Sequence, residues 1–539
     1  MIGKESMKNK FKVQGLRLKS ERKWVIGLGI GILVVFFLLR LINLTILPIF
    51  ADEAIYVRWS QVMKAEPTLR FLPLSDGKQP LFMWILMGIL GLIKNPLFAG
   101  RFLSVLAGLS SLSGIFLLSN ELFEDKKIAL MASLFYAVVP FFVFFDRMAL
   151  VDSLLAMLAI WVFYCSLLLI RSLRFTFAII TGIVLGLALI TKSPAIFFVI
   201  LLPLVFIFHP FPFPSSSKNF NRWQHIGKAI FLWGVVYVLD FGIYNLLRLG
   251  REFHMIAIRN KDYVFSFQEI LSHPFDPLKP HLFDLAGWLP NLLTWPILLL
   301  GIFGLIWMWF KKESWRQASW LFLIMVVPLL AQSIFAKVFT PRYILFTIWP
   351  ILILAACFLV TLTEKLAISI RNEVRPGLVV LLIMLVTIPS LYYNYLLITQ
   401  PEQAPLPRRM RSGYLEEWTA GQGIKEIADF IRQEAKNKNV LVGTEGYFGT
   451  LPDGLQIYLE KVPRITVIGV GYPISQVDQG LVNALVDNEV YLVVNQSRLH
   501  LDPQTQGLKL VAEYPKAINP KDYQDKLLFF QLDKDFWQQ

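Results

Sequence analysis

The chain has 539 residues, of which 55% are hydrophobic and 17% charged, with 44 Phe and 15 Trp, and a mean hydropathy of +0.56. That composition lies far outside the soluble range and excludes a soluble globular protein. The formal charge of +14 does not point to nucleic acid, because the basic residues cluster between apolar runs and form no stripe interleaved with aromatics.

Apolar runs of about 20 residues, the length that crosses a ~30 Å hydrocarbon core as a helix, recur from residue 24 to residue 396. Lys4, Lys8, Lys10, Lys12, Arg17, Lys19, Arg22 and Lys23 precede the first run, "WVIGLGIGILVVFFLL". This resembles the start of a signal peptide, but no small-residue cleavage site follows. It reads as a retained span behind a cytoplasmic basic segment, 1–23. Spans are expected near 24–47, 98–119, 128–145, 150–170, 175–191, 194–208, 228–247, 286–310, 317–336, 343–362 and 377–396, roughly eleven crossings that leave the C-terminus outside. Basic clusters support that register: Lys126 and Lys127, Arg171 and Arg174, Lys218, Arg222 and Lys228, Lys311, Lys312 and Arg316, and Lys365, Arg371 and Arg375 fall in the connections expected inside. The run "PLFMWILMGILGLI" at 80–93 is short and reads as a re-entrant or interfacial helix. Cys165 and Cys357 each lie inside an apolar run and imply neither a disulfide framework nor a metal site.

Residues 24–400 then form a membrane domain with external loops at 48–80 and 248–285, and 401–539 form a polar domain outside. In that domain "QGIKEIADFIRQEAKN" has helical periodicity, while "VLVGT", "ITVIGV", "VYLVV" and "LLFFQL" read as buried strands, which together suggest a small α/β unit. Its "GTEGYFG" lacks the spacing of a nucleotide-binding loop. The fold class expected is a polytopic α-helical membrane protein with a small C-terminal α/β extracytoplasmic domain.

The candidate chemistry begins at Asp52 and Glu53, which start the amphipathic segment "DEAIYVRWSQVMKA", expected to lie as a helix along the outer membrane surface. Asp is a favoured N-cap and Glu suits the first turn, so capping explains the pair as well as catalysis does. Further charges gather on the same expected face: Lys78, Arg101, Asp146, Arg147, Asp152, Lys192 and Arg342. Ionisable groups at membrane depth are costly and point to function, although each alone also fits an anchor reaching for the headgroups. Acids and cations together on one face suit transfer of a sugar from a phosphate-linked lipid. A carboxylate takes the acceptor proton, and fixed cations meet the charge that develops on the departing phosphate.

The ordered series "LRLINLTILPIFADEAIYVRWSQ", "GKQPLFMWI", "AGRFLSVLAG", "RMALVDSLL", "LGLALITKSPA" and "PRYILFTIWP" resembles the motifs of GT-C membrane glycosyltransferases, in particular the bacterial protein O-mannosyltransferase and aminoarabinose lipid A transferase group. The resemblance covers about residues 35–350 and leaves the C-terminal domain aside. It implies an inverting hexosyl- or pentosyltransferase of the plasma membrane, using a polyprenyl-phosphate sugar and a protein, lipid or glycan acceptor at the outer face. It implies Asp52 as catalytic base with Glu53 its partner, Asp152 as second acid with Asp146 the alternative, Lys78 as a cation near the donor phosphate, and Lys192, Arg342, Arg101 and Arg147 as donor-phosphate or structural cations. Gln79 stands where the family's lysine segment has a proline. A full D-x-D or E-x-D is absent, so a divalent metal is left open and no other cofactor is implied. The rival class is a transporter or flippase of lipid-linked glycans, which would show paired halves or a charged path through the midplane.

A reporter fused after residue 47 or residue 412 is expected to read external, and one placed within 218–228 to read cytoplasmic. A cytoplasmic C-terminus would contradict this topology.

Overall fold

The computed structural model describes residues 23–208, 222–369 and 375–537. The basic segment before Lys23, together with Lys218 and Arg371, lies outside the described residues. Seven described helices are long and apolar enough to cross a membrane: Lys23–Leu41, Pro96–Phe123, Val151–Ser172, Ile226–Leu249, Trp315–Phe335, Pro341–Leu366 and Gly377–Thr399. Two expected spans are broken. Lys126–Val138 meets Pro140–Asp146 at 60°, and Leu278–Leu293 meets Trp295–Trp309 at 109°. Proline sits in the first turn after each break, at Pro140 and Pro296. It has no N–H to continue the ladder; Val139, directly before Pro140, is extended, and at the second break the non-helical residue is Thr294, two before Pro296. Phe175–Leu189 and Ser193–Phe208 are shorter apolar helices. Among the described residues, length and composition alone therefore give seven to nine crossings, and the expected count of eleven is not confirmed. The 80–93 run contains a short helix, Leu81–Ile89.

The C-terminal unit carries a five-stranded sheet. A two-residue strand β1 (Ile49–Phe50) pairs antiparallel with β2 (Ala420–Gly421) and ties this unit to the membrane domain. The sheet proper consists of β3 (Val440–Thr444), β4 (Ile465–Gly469), β5 (Glu489–Asn495), β6 (Leu508–Pro515) and β7 (Lys526–Leu532), in the order β4-β3-β5-β7-β6. The β3 pairings are parallel, and those of β7 antiparallel. The helix Ile424–Glu434 buries Ile424, Ile427, Ala428 and Ile431, one apolar stripe at helical spacing.

Two buried arginines position the chain that leads to Asp52. Arg147 donates to the carbonyls of Leu39, Arg40, Ile42 and Asn43 at 2.7–3.1 Å. These include orphan carbonyls at the end of the first spanning helix, where a cation also suits the helix dipole. Arg101 takes over where Arg147 stops, donating to the carbonyls of Leu44, Leu47 and Pro48 at 3.0 Å. Its remaining donors reach the Glu53 carboxylate at 2.9 and 2.7 Å. Arg101, Arg147 and Glu53 are all fully buried.

The helix Ala51–Ala65, expected as an amphipathic surface helix, is covered by protein. Its burial includes Ala54, Val57, Gln61 and Met63, because it packs between Leu81–Ile89 and the helix Asp453–Leu459 of the C-terminal unit. Arg58 Nε reaches Gln456 Oε1 at 3.1 Å and Gln61 Nε2 the carbonyl of Ile457 at 2.9 Å.

Replacing Arg101 by Met strands the buried Glu53 charge, which is expected to cost about 3–5 kcal/mol. It should lower the thermal midpoint of the purified protein sharply. Lys438→Ala, which removes a half-exposed lysine from its pair with Glu489 at the surface, is expected to cost no more than about 1 kcal/mol. Equal midpoints for the two variants would contradict this role of Arg101.

Candidate functional site

The carboxylate pair divides its work between two neighbours. Phe50, not Asp52, is the N-cap residue of Ala51–Ala65. Glu53 does the capping, accepting from the backbone N–H of Phe50 at 3.0 Å and from that of Ala149 at 2.6 Å while Arg101 binds it through two nitrogens. All of its acceptor capacity is directed inward. Glu53, expected as the catalytic partner, is in this geometry a structural group.

Asp52 points the other way. Its Oδ1 lies 3.3 Å from Lys78 Nζ and its Oδ2 2.5 Å from Arg342 NH1. Three separate chain segments thus converge on one carboxylate. Burial by itself would raise the Asp52 carboxyl, but Lys78 and Arg342 together hold it well below the usual carboxylate range. For Lys78, burial disfavours the ammonium, and neighbouring anionic groups including Asp52 and Asp76 outweigh it, so the lysine is held in its charged form. Lys78 Nζ also lies 5.1 Å from the Tyr56 ring and 5.6 Å from that of Trp59. Asp76, two residues away, contacts it at 3.3 Å.

A second ion pair stands beside the first. Lys192 Nζ bonds Asp152 Oδ1 at 2.6 Å, and Asp152 Oδ2 is buried with no hydrogen-bond partner. The two clusters share an aromatic ring. Tyr343 carries Lys192 Nζ 4.4 Å from its centroid and the Arg342 guanidinium 5.1 Å from it, within cation–π range. Gln79 finds a role here: its Nε2 donates to Ser193 Oγ at 2.8 Å, and Leu81 N donates to the Ile190 carbonyl at 3.2 Å. The Lys78 segment is thereby fastened to the Lys192 segment.

Of the nine residues singled out by sequence, the structure brings Asp52, Lys78, Arg342, Asp152 and Lys192 together. It sets four apart. Arg101 and Arg147, expected as phosphate or structural cations, are sealed from solvent and bind backbone carbonyls, Arg101 also the Glu53 carboxylate, while Arg147 Nε is left without a partner. Asp146, the alternative acid, is buried against Arg40 Nε at 2.9 Å and Tyr136 Oη at 3.1 Å. Glu53 is occupied as described. Sequence reading missed Tyr343, Asp76, Arg40 and Tyr56. The first two adjoin motif residues, in "PRYIL" and "SDGK", and that adjacency was the available signal. Both oxygens of Asp52 and one of Asp152 are engaged by cations. No group of three His, Cys, Asp or Glu side chains suited to a metal ion occurs among the described residues. Among the described residues, the acids of the cluster are paired with cations and are not arranged to hold a divalent metal.

Residues 77–239 match the family model described as dolichyl-phosphate-mannose-protein mannosyltransferase. This segment holds Lys78, Asp152 and Lys192 and stops short of Asp52 and Arg342 on either side. The fold is shared with ArnT from Cupriavidus metallidurans. The apo structure aligns with a TM-score of 0.53 and 15% identity over 96% of this chain and 99% of that one. ArnT bound to undecaprenyl phosphate aligns with a TM-score of 0.53 and 17% identity over 94% and 98%. No curated protein matches the chain in sequence. The matched segment is thus similar to the protein O-mannosyltransferase family model, and the chain as a whole shares the fold of ArnT.

Proposed function

We propose that the protein moves a sugar from a polyprenyl-phosphate donor to an acceptor hydroxyl at the outer face of the plasma membrane, with inversion at the anomeric carbon. The observation that carries this reading is the Asp52 carboxylate held between Lys78 and Arg342, with Lys192 and Asp152 across the Tyr343 ring. The ArnT structure that contains undecaprenyl phosphate supports a lipid phosphate as the donor's carrier.

In this reading Asp52 removes the acceptor proton. The acceptor oxygen bonds the anomeric carbon from the side opposite the phosphate as the carbon–oxygen bond to the phosphate breaks. The electron pair leaves with the polyprenyl phosphate, whose growing charge is met by Lys78, Arg342 and Lys192, cations already fixed in a partly dehydrated site. The resting ion pairs have a further consequence. A carboxylate bound to two cations is a weak base. An entering phosphate competes for the same cations, so the proton affinity of Asp52 rises when the donor is in place. Base activation is thereby coupled to donor binding. Asp152, one of whose oxygens is free, orients Lys192 toward the phosphate.

Asp52→Asn keeps the shape of the side chain and removes the base. Its turnover is expected to fall at least about 100-fold with donor binding retained, read by transfer assays and donor titration on the purified protein. Near-normal turnover would contradict the assignment. Lys78→Met removes one of the two cations that depress the Asp52 carboxyl. Because protonated Asp52 is inactive, the acidic limb of its kcat/KM profile should move to higher pH than in the parent protein. An unmoved acidic limb would mean that Asp52 does not titrate in the reaction.

A further inference from the structure

The loop "GTEGYFG" is no nucleotide site, yet it occupies a distinctive place in the sheet. The chain runs from β3 to β4 on one side of β3, then to β5 on the other. The strand order therefore reverses between β3 and β5, and open sheets with parallel strands bind ligands outside the carboxyl ends at such a point. Three loops meet there. Gly446 N donates to the Gly471 carbonyl at 2.7 Å, and Ile474 N to that of Arg498 at 3.0 Å, joining the segments after β3, β4 and β5.

The floor of this crevice is polar and closed. Glu445 accepts from Asn495 N at 2.8 Å and Asn495 Nδ2 at 2.7 Å, and lies 3.5 Å from Arg498 NH1. Lys516 Nζ donates to Asn495 Oδ1 and lies 3.2 Å from Asp525 Oδ2. Two acids and two bases balance, so the floor attracts neither anions nor cations. The walls are aromatic. The Arg498 guanidinium lies between Trp418 and Tyr472, 3.7 and 4.2 Å from their centroids. Gly446 and Gly449, with φ of +69° and +116°, turn the backbone so that Tyr447 and Phe448 stand outward. Tyr447 is 76% exposed, Tyr472 61% and Phe448 45%; Arg498 covers one side of Tyr472 and Trp59 flanks Phe448, which leaves Tyr447 and the rest of the Tyr472 ring exposed. The crevice also adjoins the ion cluster. Phe448 packs 5.6 Å from Trp59, whose ring flanks Lys78, and Thr419, next to Trp418, accepts from Ala51 N at 3.0 Å.

We propose that this crevice binds a neutral carbohydrate portion of the acceptor, stacked on Tyr447 and Tyr472, and leads it to Asp52. The negative faces of aromatic rings meet the weakly positive C–H faces of a sugar, and an electrically balanced floor suits a ligand of hydroxyls. The delivery to Asp52 rests on the transfer proposed above; the carbohydrate binding does not.

The test uses the full chain in lipid nanodiscs on a printed array of neutral and acidic oligosaccharides and peptides. The parent protein and Asp52→Asn are expected to retain neutral oligosaccharides. The double variant Tyr447→Ala, Tyr472→Ala should bind them about tenfold more weakly or worse, with its thermal midpoint and polyprenyl phosphate binding unchanged. Tyr447→Phe, Tyr472→Phe, which keeps both rings, should restore most of the affinity. Retention of acidic glycans or peptides alone, no retained glycan, or equal affinity in the alanine double variant would overturn the proposal. Transfer lost in Asp52→Asn with such equal affinity overturns the crevice and leaves the transfer reading. Unimpaired transfer by Asp52→Asn with glycan lost from the alanine double variant overturns the transfer reading and leaves the binding site.

Discussion

Asp52 held between Lys78 and Arg342 is the interaction on which the rest of the arrangement depends. A charge at membrane depth is costly unless paired, so most of the ionisable groups near the site have partners. What separates the pairs is whether they are finished. Arg101 and Glu53 are both 0% exposed, and Arg40 and Asp146 are 0% and 1%. Lys78 is 22% exposed, Lys192 21%, Arg342 17% and Asp52 16%. The first set has satisfied its hydrogen-bonding capacity inside the protein. The second set has charge to offer a ligand, and it is this set that the proposed glycosyl transfer would use.

The sealed pairs serve the open ones. Arg147 and Arg101 bind successive carbonyls from Leu39 to Pro48, which gives the connection out of the first spanning helix a single path. Glu53 then fixes the start of the next helix, and the helical turn places Asp52, one residue earlier, on a different face. A carboxylate that both capped the helix and served as base would do neither well, since capping demands a fixed inward geometry and proton transfer demands access. The C-terminal unit completes the frame by covering the same helix through Arg58, Gln61 and the β1–β2 pair.

Much of this was legible in the sequence, and the limits have physical causes. The ordered motifs named Asp52, Lys78, Asp152, Lys192 and Arg342 because acids and cations at apolar boundaries are rare. The same rarity flagged Glu53, Arg101, Asp146 and Arg147, since a sealed structural pair and an open working pair look alike in one dimension. Only burial tells them apart. Breaks at Val139 and Thr294 were missed because hydropathy counts residues and is blind to a bend, although Pro140 and Pro296 mark both. Strand β6 was missed because "LKLVAEYP" lies at the sheet edge, where polar residues interrupt the apolar pattern that betrayed β3, β5 and β7.

The most direct test of the shared-cation arrangement is a structure of the full chain with a polyprenyl phosphate bound. The phosphate is expected within hydrogen-bond distance of Arg342 and of Lys78 or Lys192, with the Asp52–Arg342 contact lengthened relative to 2.5 Å. A phosphate bound away from all three cations, with Asp52 still held by Lys78 and Arg342, would contradict the coupling of donor binding to the base.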